Sequence, residues 1–267
     1  MNSSDQNSRP VALITGASAG FGACFAKHLA EKNCDLILVA RRENRLRQVA
    51  SDLEKQFNIR AEILPADLTN PDDLAKVYAK IQATENLEYL INNAGFGTHP
   101  LYAQSDHKRQ LDMVKLHVVA VADLTHAALP GMIKRKRGNI INVASVAGFF
   151  SSPTNVLYCS TKTWGIAFSK SLAIELAGTG VNIQALCPGF TYTEFHDVMK
   201  VDRKLVSKFL WLKADFVVNK SLKKLGKGYL CIPSIRYKFF VLIAKIAPEF
   251  IKDFFARKRI KRLHQAF

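Results

Sequence analysis

Six short apolar runs, at residues 11–14, 36–40, 61–64, 88–92, 139–144 and 181–186, recur along the chain with helix-length segments between them. Short buried runs alternating with helices predict βαβ units, and so an α/β fold built on a doubly wound parallel sheet. Helical patterns stand out over Ala23–Lys32, over Glu43–Gln56 and over residues 158–175. At 267 residues the chain can bury one substantial core. No internal repeat or low-complexity block interrupts it. Met1–Arg9 is polar and lacks the basic start and apolar core of a secretory signal, which predicts a disordered tail. The organisation expected is a tail over 1–9, one domain over 10–230 and an extension over 231–267.

The first apolar run leads into Thr15-Gly16-Ala-Ser18-Ala-Gly20-Phe21-Gly22 and then into a helical pattern. Strand, glycine turn and helix start in that order suit a dinucleotide pyrophosphate. Gly16 permits the tight turn, while Gly20 and Gly22 let backbone approach the phosphates and the helix pack on the sheet. The helix N-terminus offers unpaired N–H groups to the anion. The second run ends in Ala40-Arg41-Arg42 rather than in the acidic residue an NAD ribose wants. A guanidinium offers forked donors to a phosphate, so NADP(H) is the cofactor expected, with Arg41 on the 2′-phosphate. Arg42 has a second reading, as a solvated residue opening the next helix.

Further on, Tyr158-Cys-Ser-Thr-Lys162 puts a phenol and an ammonium one helical turn apart. A nearby cation favours phenolate and lowers a tyrosine pKa, which equips Tyr158 to exchange a proton with a carbonyl oxygen near neutral pH. Ser145 ends the buried run Ile140-Ile-Asn-Val-Ala-Ser145, where its hydroxyl could reach the same oxygen.

Together these residues resemble the short-chain dehydrogenase/reductase family in its single-domain, Rossmann-fold form. The matching positions are Thr15-Gly-x-x-x-Gly20-x-Gly22, Asp67 in Ala66-Asp-Leu-Thr69, Asn92-Asn93-Ala94-Gly95, Ser145, Tyr158, Lys162 and Pro188-Gly189, in the family's order. The segment Leu36–Glu43 and the carboxy-terminal extension look most like the ketoacyl reductase and hydroxysteroid dehydrogenase-like branch. The resemblance implies that Ser18, Phe21, Asp67, Asn93, Ala94 and Gly95 line the cofactor, with Asp67 beside the adenine. For Asp67 a helix N-cap is the other reading. It further implies that Ser145 polarises the carbonyl, Tyr158 donates the proton and Lys162 holds the nicotinamide ribose. Pro188-Gly189 would shape the nicotinamide pocket, and Thr193 would touch the carboxamide or diphosphate. The family's usual asparagine in the following helix is replaced by His117 in Met113-Val-Lys-Leu-His117. An imidazole titrates near neutral pH, so His117 is expected to support a proton relay or else to be a satisfied buried histidine.

Charge changes the picture only at the carboxy-terminal end. The net charge is +16, and residues 196–267 hold 18 Lys+Arg against 5 Asp+Glu, leaving the remainder at 20 against 17. The apolar run Tyr237–Pro248 is bracketed by lysines and followed by Arg257-Lys-Arg-Ile-Lys-Arg262. A helix lying on an anionic membrane surface, a helix packed on its own core or on a second copy in a homodimer, and a nucleic-acid patch are the three readings. No nucleic-acid module accompanies the patch, and no nucleic-acid partner is expected. Five cysteines (24, 34, 159, 187, 231) show no paired or metal-ligand spacing, which predicts free thiols in a reducing compartment and no metal site. Lys134-Arg-Lys-Arg137 reads as a solvated helix end. Phe190, Tyr192, Phe195, Met199, Phe209, Leu210, Trp211 and Phe216 crowd the expected substrate lid over 190–230 and suit a lipophilic substrate. The activity expected is reduction of a lipophilic ketone, or oxidation of the matching secondary alcohol, with NADP(H). An NADP-binding sensor or scaffold with little catalysis is the alternative. The location expected is cytoplasmic, peripheral to a membrane if the extension binds one.

Overall fold

The computed structural model describes residues 9–98, 101–195, 206–248 and 250. Each apolar run forms a strand: β1 (Val11–Thr15), β2 (Asp35–Ala40), β3 (Ala61–Pro65), β4 (Leu87–Asn92), β5 (Gly138–Val143) and β6 (Val181–Leu186). They pair in parallel in the order β3-β2-β1-β4-β5-β6, extended at the far edge by a seventh strand, β9 (Leu230–Cys231), against Ala185 and Leu186. A separate parallel ribbon joins β7 (Thr191–Tyr192) to β8 (Leu212–Lys213). The sequence pattern missed these three strands because two residues are too short to show a period.

Alternate residues of each strand serve opposite faces, as a pleated strand requires. Ala12, Ile14, Leu36 and Leu38 join one core with Phe25 and Leu29 of α1 (Gly20–Ala30) and Leu46 of α2 (Glu43–Phe57). Leu13, Ile37 and Val39 join the other with Leu74 and Val77 of α3 (Pro71–Gln82) and Leu124 and Met132 of α4 (His107–Lys134). Both faces are therefore dry, which is how a parallel sheet is normally covered. α4 is long and apolar enough by composition to cross a membrane, yet Ala120, Leu124, Ala128 and Met132 pack it into the core. α5 (Val156–Glu175) follows β5, and α6 (Ala214–Lys224) and α7 (Ile235–Ile246) close the fold. Val217 and Val218 of α6, and Tyr237 and Val241 of α7, belong to the same core as α1. A bond of 2.8 Å between His28 and Asp215 ties α1 to α6.

Three readings of local structure change. Asn70, not Asp67, caps α3: its side chain accepts from the N–H groups of Asp72 and Asp73, with Pro71 at the first turn. Arg135 donates to the Leu87 carbonyl at 2.7 Å and Arg137 pairs with Glu88, so the basic end of α4 is pinned to β4 rather than merely solvated. Residues 231–246 are integral to the fold rather than an appendage, since β9 extends the sheet and α7 enters the core. The tail over 1–8, Met199 and the basic run after residue 250 lie outside the described residues.

A buried polar chain locks the centre of the sheet. The Asn92 amide donates to Thr125 Oγ1 (3.1 Å) and to Asn142 Oδ1 (2.9 Å), and the Asn142 amide donates to Ser169 Oγ (3.0 Å). Two neighbouring strands are thereby bolted to α4 and α5. Removing a central member strands its partners without water, at about 1–3 kcal/mol each. Asn142→Ala should therefore cost about 3 kcal/mol in urea unfolding, whereas an exposed-site control such as Gln48→Ala should stay within about 0.5 kcal/mol.

Candidate active site

The strand order reverses between β1 and β4, and in open α/β sheets the crevice beyond the strand ends at that point is where ligands sit. Thr15 builds its floor. Its hydroxyl accepts from the N–H groups of Asn93 (2.9 Å) and Ala94 (3.0 Å) and donates to the Ile91 carbonyl (3.2 Å). The Asn93 amide returns a bond to the Thr15 carbonyl at 2.8 Å. This leaves no room for side chains on the turn: a Cβ on Gly22 would lie 2.2 Å from the Gly16 carbonyl oxygen. Gly16 (φ +66°) and Gly20 (φ +56°) also take left-handed backbone that favours glycine. α1 begins on Ala19 with no side-chain cap and no acidic residue in its first turn, so its leading N–H groups are open to an anion. Thr193 lies over Gly20, with its Cβ 3.4 Å from where a glycine Cβ would project. Phe21, partly buried, packs on the core.

Both arginines after β2 reach this crevice, in unexpected roles. Arg42 donates to Ser18 Oγ at 3.1 and 3.3 Å and pairs with Glu194 at 3.0 Å. It thus opens α2, half exposed, and is at the same time bonded to the glycine loop. Arg41 lies 3.7 Å from Asp67. Burial alone would raise the Asp67 pKa, but bonds from the Thr69 N–H and hydroxyl, with the Arg41 guanidinium, hold it below its ordinary value.

The second half of the site stands on β5 and α5. Ser145 follows β5 and caps the 3-10 turn Val146–Phe149 by accepting from the Ala147 N–H at 3.1 Å. It also hydrogen-bonds the Tyr158 hydroxyl. The Lys162 ammonium lies 5.7 Å from the centre of the Tyr158 ring and donates to the Val143 carbonyl at 2.8 Å. Proximity does not, however, acidify the phenol here. Desolvation dominates and pushes the Tyr158 pKa up to about 12, against the opposing pull of the Ser145 bond. Desolvation likewise lowers Lys162 to about 8. Helical spacing gave the distance but not the dielectric, which weakens the charged forms of both groups.

His117 is buried in a π-helical segment of α4, Lys115–Val119. Its Nε2 accepts from the Phe96 N–H at 3.2 Å, so in the neutral ring Nδ1 carries the proton toward Thr161 Oγ1 at 3.0 Å. Thr161 in turn donates to the Tyr158 carbonyl at 3.0 Å. Burial, and then the charge of Lys162, hold the imidazole pKa well below its usual value. Bonded at both nitrogens, the ring bridges Phe96 and Thr161. Gly95 is required beside it, because a Cβ there would meet Nε2 at 2.7 Å.

Pro188-Gly189 lies beyond β6, where the ring of Tyr237 covers Gly189 at a separation no Cβ would tolerate. The Tyr237 hydroxyl accepts from the Phe190 N–H (3.0 Å) and donates to the Leu210 carbonyl (2.7 Å). Of the lid aromatics, Phe195 packs 5.9 Å from Tyr158, while Trp211 is buried against Tyr192 and Phe190. Thr161, Glu194 and Tyr237 are the site-building residues the sequence reading passed over. Thr161 sits three residues after Tyr158 and was open to discovery, whereas Tyr237 carries no local signal. Among the described residues, Cys24, His28 and Asp215 bring three metal-binding atom types within 4.8 Å. The imidazole and carboxylate are already bonded to each other there, as a strut between α1 and α6. None of the five cysteines is in a disulfide.

The family model for short chain dehydrogenases matches residues 10–204. This chain belongs to that family of oxidoreductases, which act on CH–OH and C=O groups with a nicotinamide cofactor. Among curated relatives, a very-long-chain 3-oxoacyl-CoA reductase of Anas platyrhynchos is 31% identical over 196 residues, covering 71% of this chain and 62% of the duck protein. A solved Sphingobium yanoikuyae short-chain dehydrogenase in complex with NADPH is 31% identical, with a TM-score of 0.81 over 87% of this chain and 92% of that one. A bulky-bulky ketone specific alcohol dehydrogenase from Comamonas testosteroni is 26% identical, with a TM-score of 0.77 over 96% and 95%.

The buried ammonium has a pH signature. Lys162 ordinarily titrates at 10.5 and does so at about 8 in the fold, so between those values the unfolded chain binds more protons than the folded one. Stability then rises with pH across that window. Measured against Lys162→Met, which removes the titration, wild-type unfolding free energy should climb from about pH 8 to 10.5 by up to about 1.4 kcal/mol per unit and run parallel below it.

Proposed function

We propose that this protein reduces the carbonyl of a lipophilic ketone with NADPH. The observation that carries the reading is the convergence of Ser145, Tyr158 and Lys162 beside an anion-binding crevice, with the phenol held protonated. The residues suit the cofactor. Glycine backbone at 16, 20 and 22 and the uncapped start of α1 would hold the pyrophosphate, with Thr193 over it. Ser18, Arg41 and Arg42 would hold the 2′-phosphate. The Arg42–Glu194 pair is half exposed, and such pairs exchange at little cost. Asp67, Asn93, Ala94 and Gly95 would line the adenosine side, and Pro188 and Gly189 the nicotinamide side. NADPH supplies the hydride when bound.

The chain's own residues supply the proton and the field. The Tyr158 hydroxyl gives its proton to the carbonyl oxygen, and an alcohol results. Ser145, whose oxygen is held by the Ala147 N–H, keeps its own proton to donate to the same oxygen. Lys162 offsets the charge left on the phenolate, and a proton from solvent restores the phenol. A phenol that resists ionisation begins the reducing step protonated, as a proton donor must. His117 fixes the Gly95–Phe96 turn and, through Thr161, the first turn of α5; we place it as a positioning residue. Phe195 beside Tyr158 and the aromatic lid favour an apolar substrate, of ketoacyl or steroid-like type. The duck 3-oxoacyl-CoA reductase and the Comamonas bulky-ketone enzyme support that direction.

The test is NADPH oxidation over a panel of apolar ketones. Tyr158→Phe should lower kcat by about 10²–10⁴-fold while NADPH binding stays within a few-fold of wild type. Arg41→Ala combined with Arg42→Ala should weaken NADPH by about 2 kcal/mol, roughly thirtyfold, without touching NADH. Equal loss of binding and turnover in Tyr158→Phe would make that residue structural and overturn the reading.

A further inference from the structure

α7 is apolar on the wrong side for a helix facing water. Its inner face is spent on the fold: Tyr237, Val241 and Ala244 are buried. Its outer stripe is nevertheless Ile235 (76% exposed), Phe239 (61%), Leu242 (53%) and Ile246 (73%), with Phe240 and Ile243 beside it. Those four positions recur at spacings of four, three and four, so they form one continuous line along the helix. Lys238 and Lys245 lie along one flank of this line and Arg236 along the other; the helix has no acidic residue. An ordinary surface helix puts its charges at the apex and its apolar residues beneath. Here the apex is oil and the cations stand at the waterline, where long basic side chains can reach phosphate while their stems stay among apolar groups.

We propose that this face of α7 docks the protein on an anionic lipid surface. Charge selects that occupant over a second copy of the chain. Pairing α7 with its twin would bring Arg236, Lys238 and Lys245 of both copies together, and the sequence just beyond adds Lys252, Arg257, Lys258, Arg259, Lys261 and Arg262 against only Glu249 and Asp253. A lipid headgroup layer neutralises that charge instead, and each basic residue near such a surface strengthens binding about fivefold. The docked helix is also rigidly joined to the candidate active site. Tyr237 clamps the loop after Gly189, Arg236 stacks on Phe209 at 3.6 Å, and Lys245 lies over the ring of Phe149, in the turn that Ser145 caps. Docking would therefore hold the loop after Gly189 and the Phe209 end of the lid at the lipid, the phase in which an apolar ketone dissolves. The docking itself is independent of the catalytic reading; only the supply of substrate rests on it.

Co-sedimentation of the full chain with phosphatidylcholine vesicles, with and without phosphatidylserine, decides the matter. Wild type should pellet with the phosphatidylserine vesicles, far less with phosphatidylcholine alone, and less at high salt. Phe239→Glu combined with Ile246→Glu should lose at least tenfold in binding. Both sites are exposed, so this variant should keep its unfolding midpoint and its turnover of a water-soluble ketone. Lys238→Gln with Lys245→Gln should weaken binding about 25-fold, from the same fivefold per charge. Wild type left in the supernatant with anionic vesicles would overturn the proposal, as would a double-Glu variant that pellets as well as wild type. A wild-type dimer in gel filtration that the double-Glu change dissociates, without vesicle binding, would reassign the face to self-association. Absence of turnover on every ketone would count against the catalytic reading and leave the vesicle result standing.

Discussion

The close approach of β1 and β4 at their carboxyl ends is the constraint on which the rest depends. Thr15 Oγ1 accepts from the Asn93 and Ala94 N–H groups and donates to the Ile91 carbonyl, and the Asn93 amide donates to the Thr15 carbonyl. The space that remains is filled by backbone, so Gly22 packs directly on the Gly16 carbonyl. That packing brings the uncapped start of α1 to the point where the strand order reverses. One strand further on, Asn92 and Asn142 bolt β4 to β5 and both to the helices behind them. Ser145 and Tyr158 are then set from β5 and α5. The glycine turn and the Ser145–Tyr158 pair are thus held by one hydrogen-bonded core.

Much of this was legible in the chain. Runs of four to six apolar residues between turn signals have few alternatives to buried strands, and six of them gave the sheet. The glycine turn was legible because each glycine answers a steric demand that no other residue meets. What escaped needed three dimensions. The strands at 191–192, 212–213 and 230–231 are too short for a pattern, and their pairing is set by distant partners. The Ser18–Arg42 bond joins residues 24 apart in sequence, which no local rule anticipates.

Electrostatics was the least legible layer. A four-residue spacing places Lys162 near Tyr158, but the sign of the pKa shift depends on how much water the fold removes, and here burial outweighs the Ser145 hydrogen bond and raises the phenol. His117 shows the same lesson. Its pKa is held well below the ordinary value by burial, and then by the charge of Lys162, in a π-helical turn where both nitrogens are bonded. Residues 231–246 divided between two of the sequence readings: the inner face of α7 packs on the core, and the outer face remains apolar and exposed.

The central claim is that these residues hold NADPH and deliver a proton to a carbonyl that would take its hydride from that cofactor. Incubating the protein with NADPH deuterated at C4 on both faces and an apolar ketone, then analysing the product by mass spectrometry, addresses it directly. The account expects an alcohol carrying one deuterium on its carbinol carbon. NADPH consumed without labelled alcohol, or no alcohol from any ketone that binds, would contradict it.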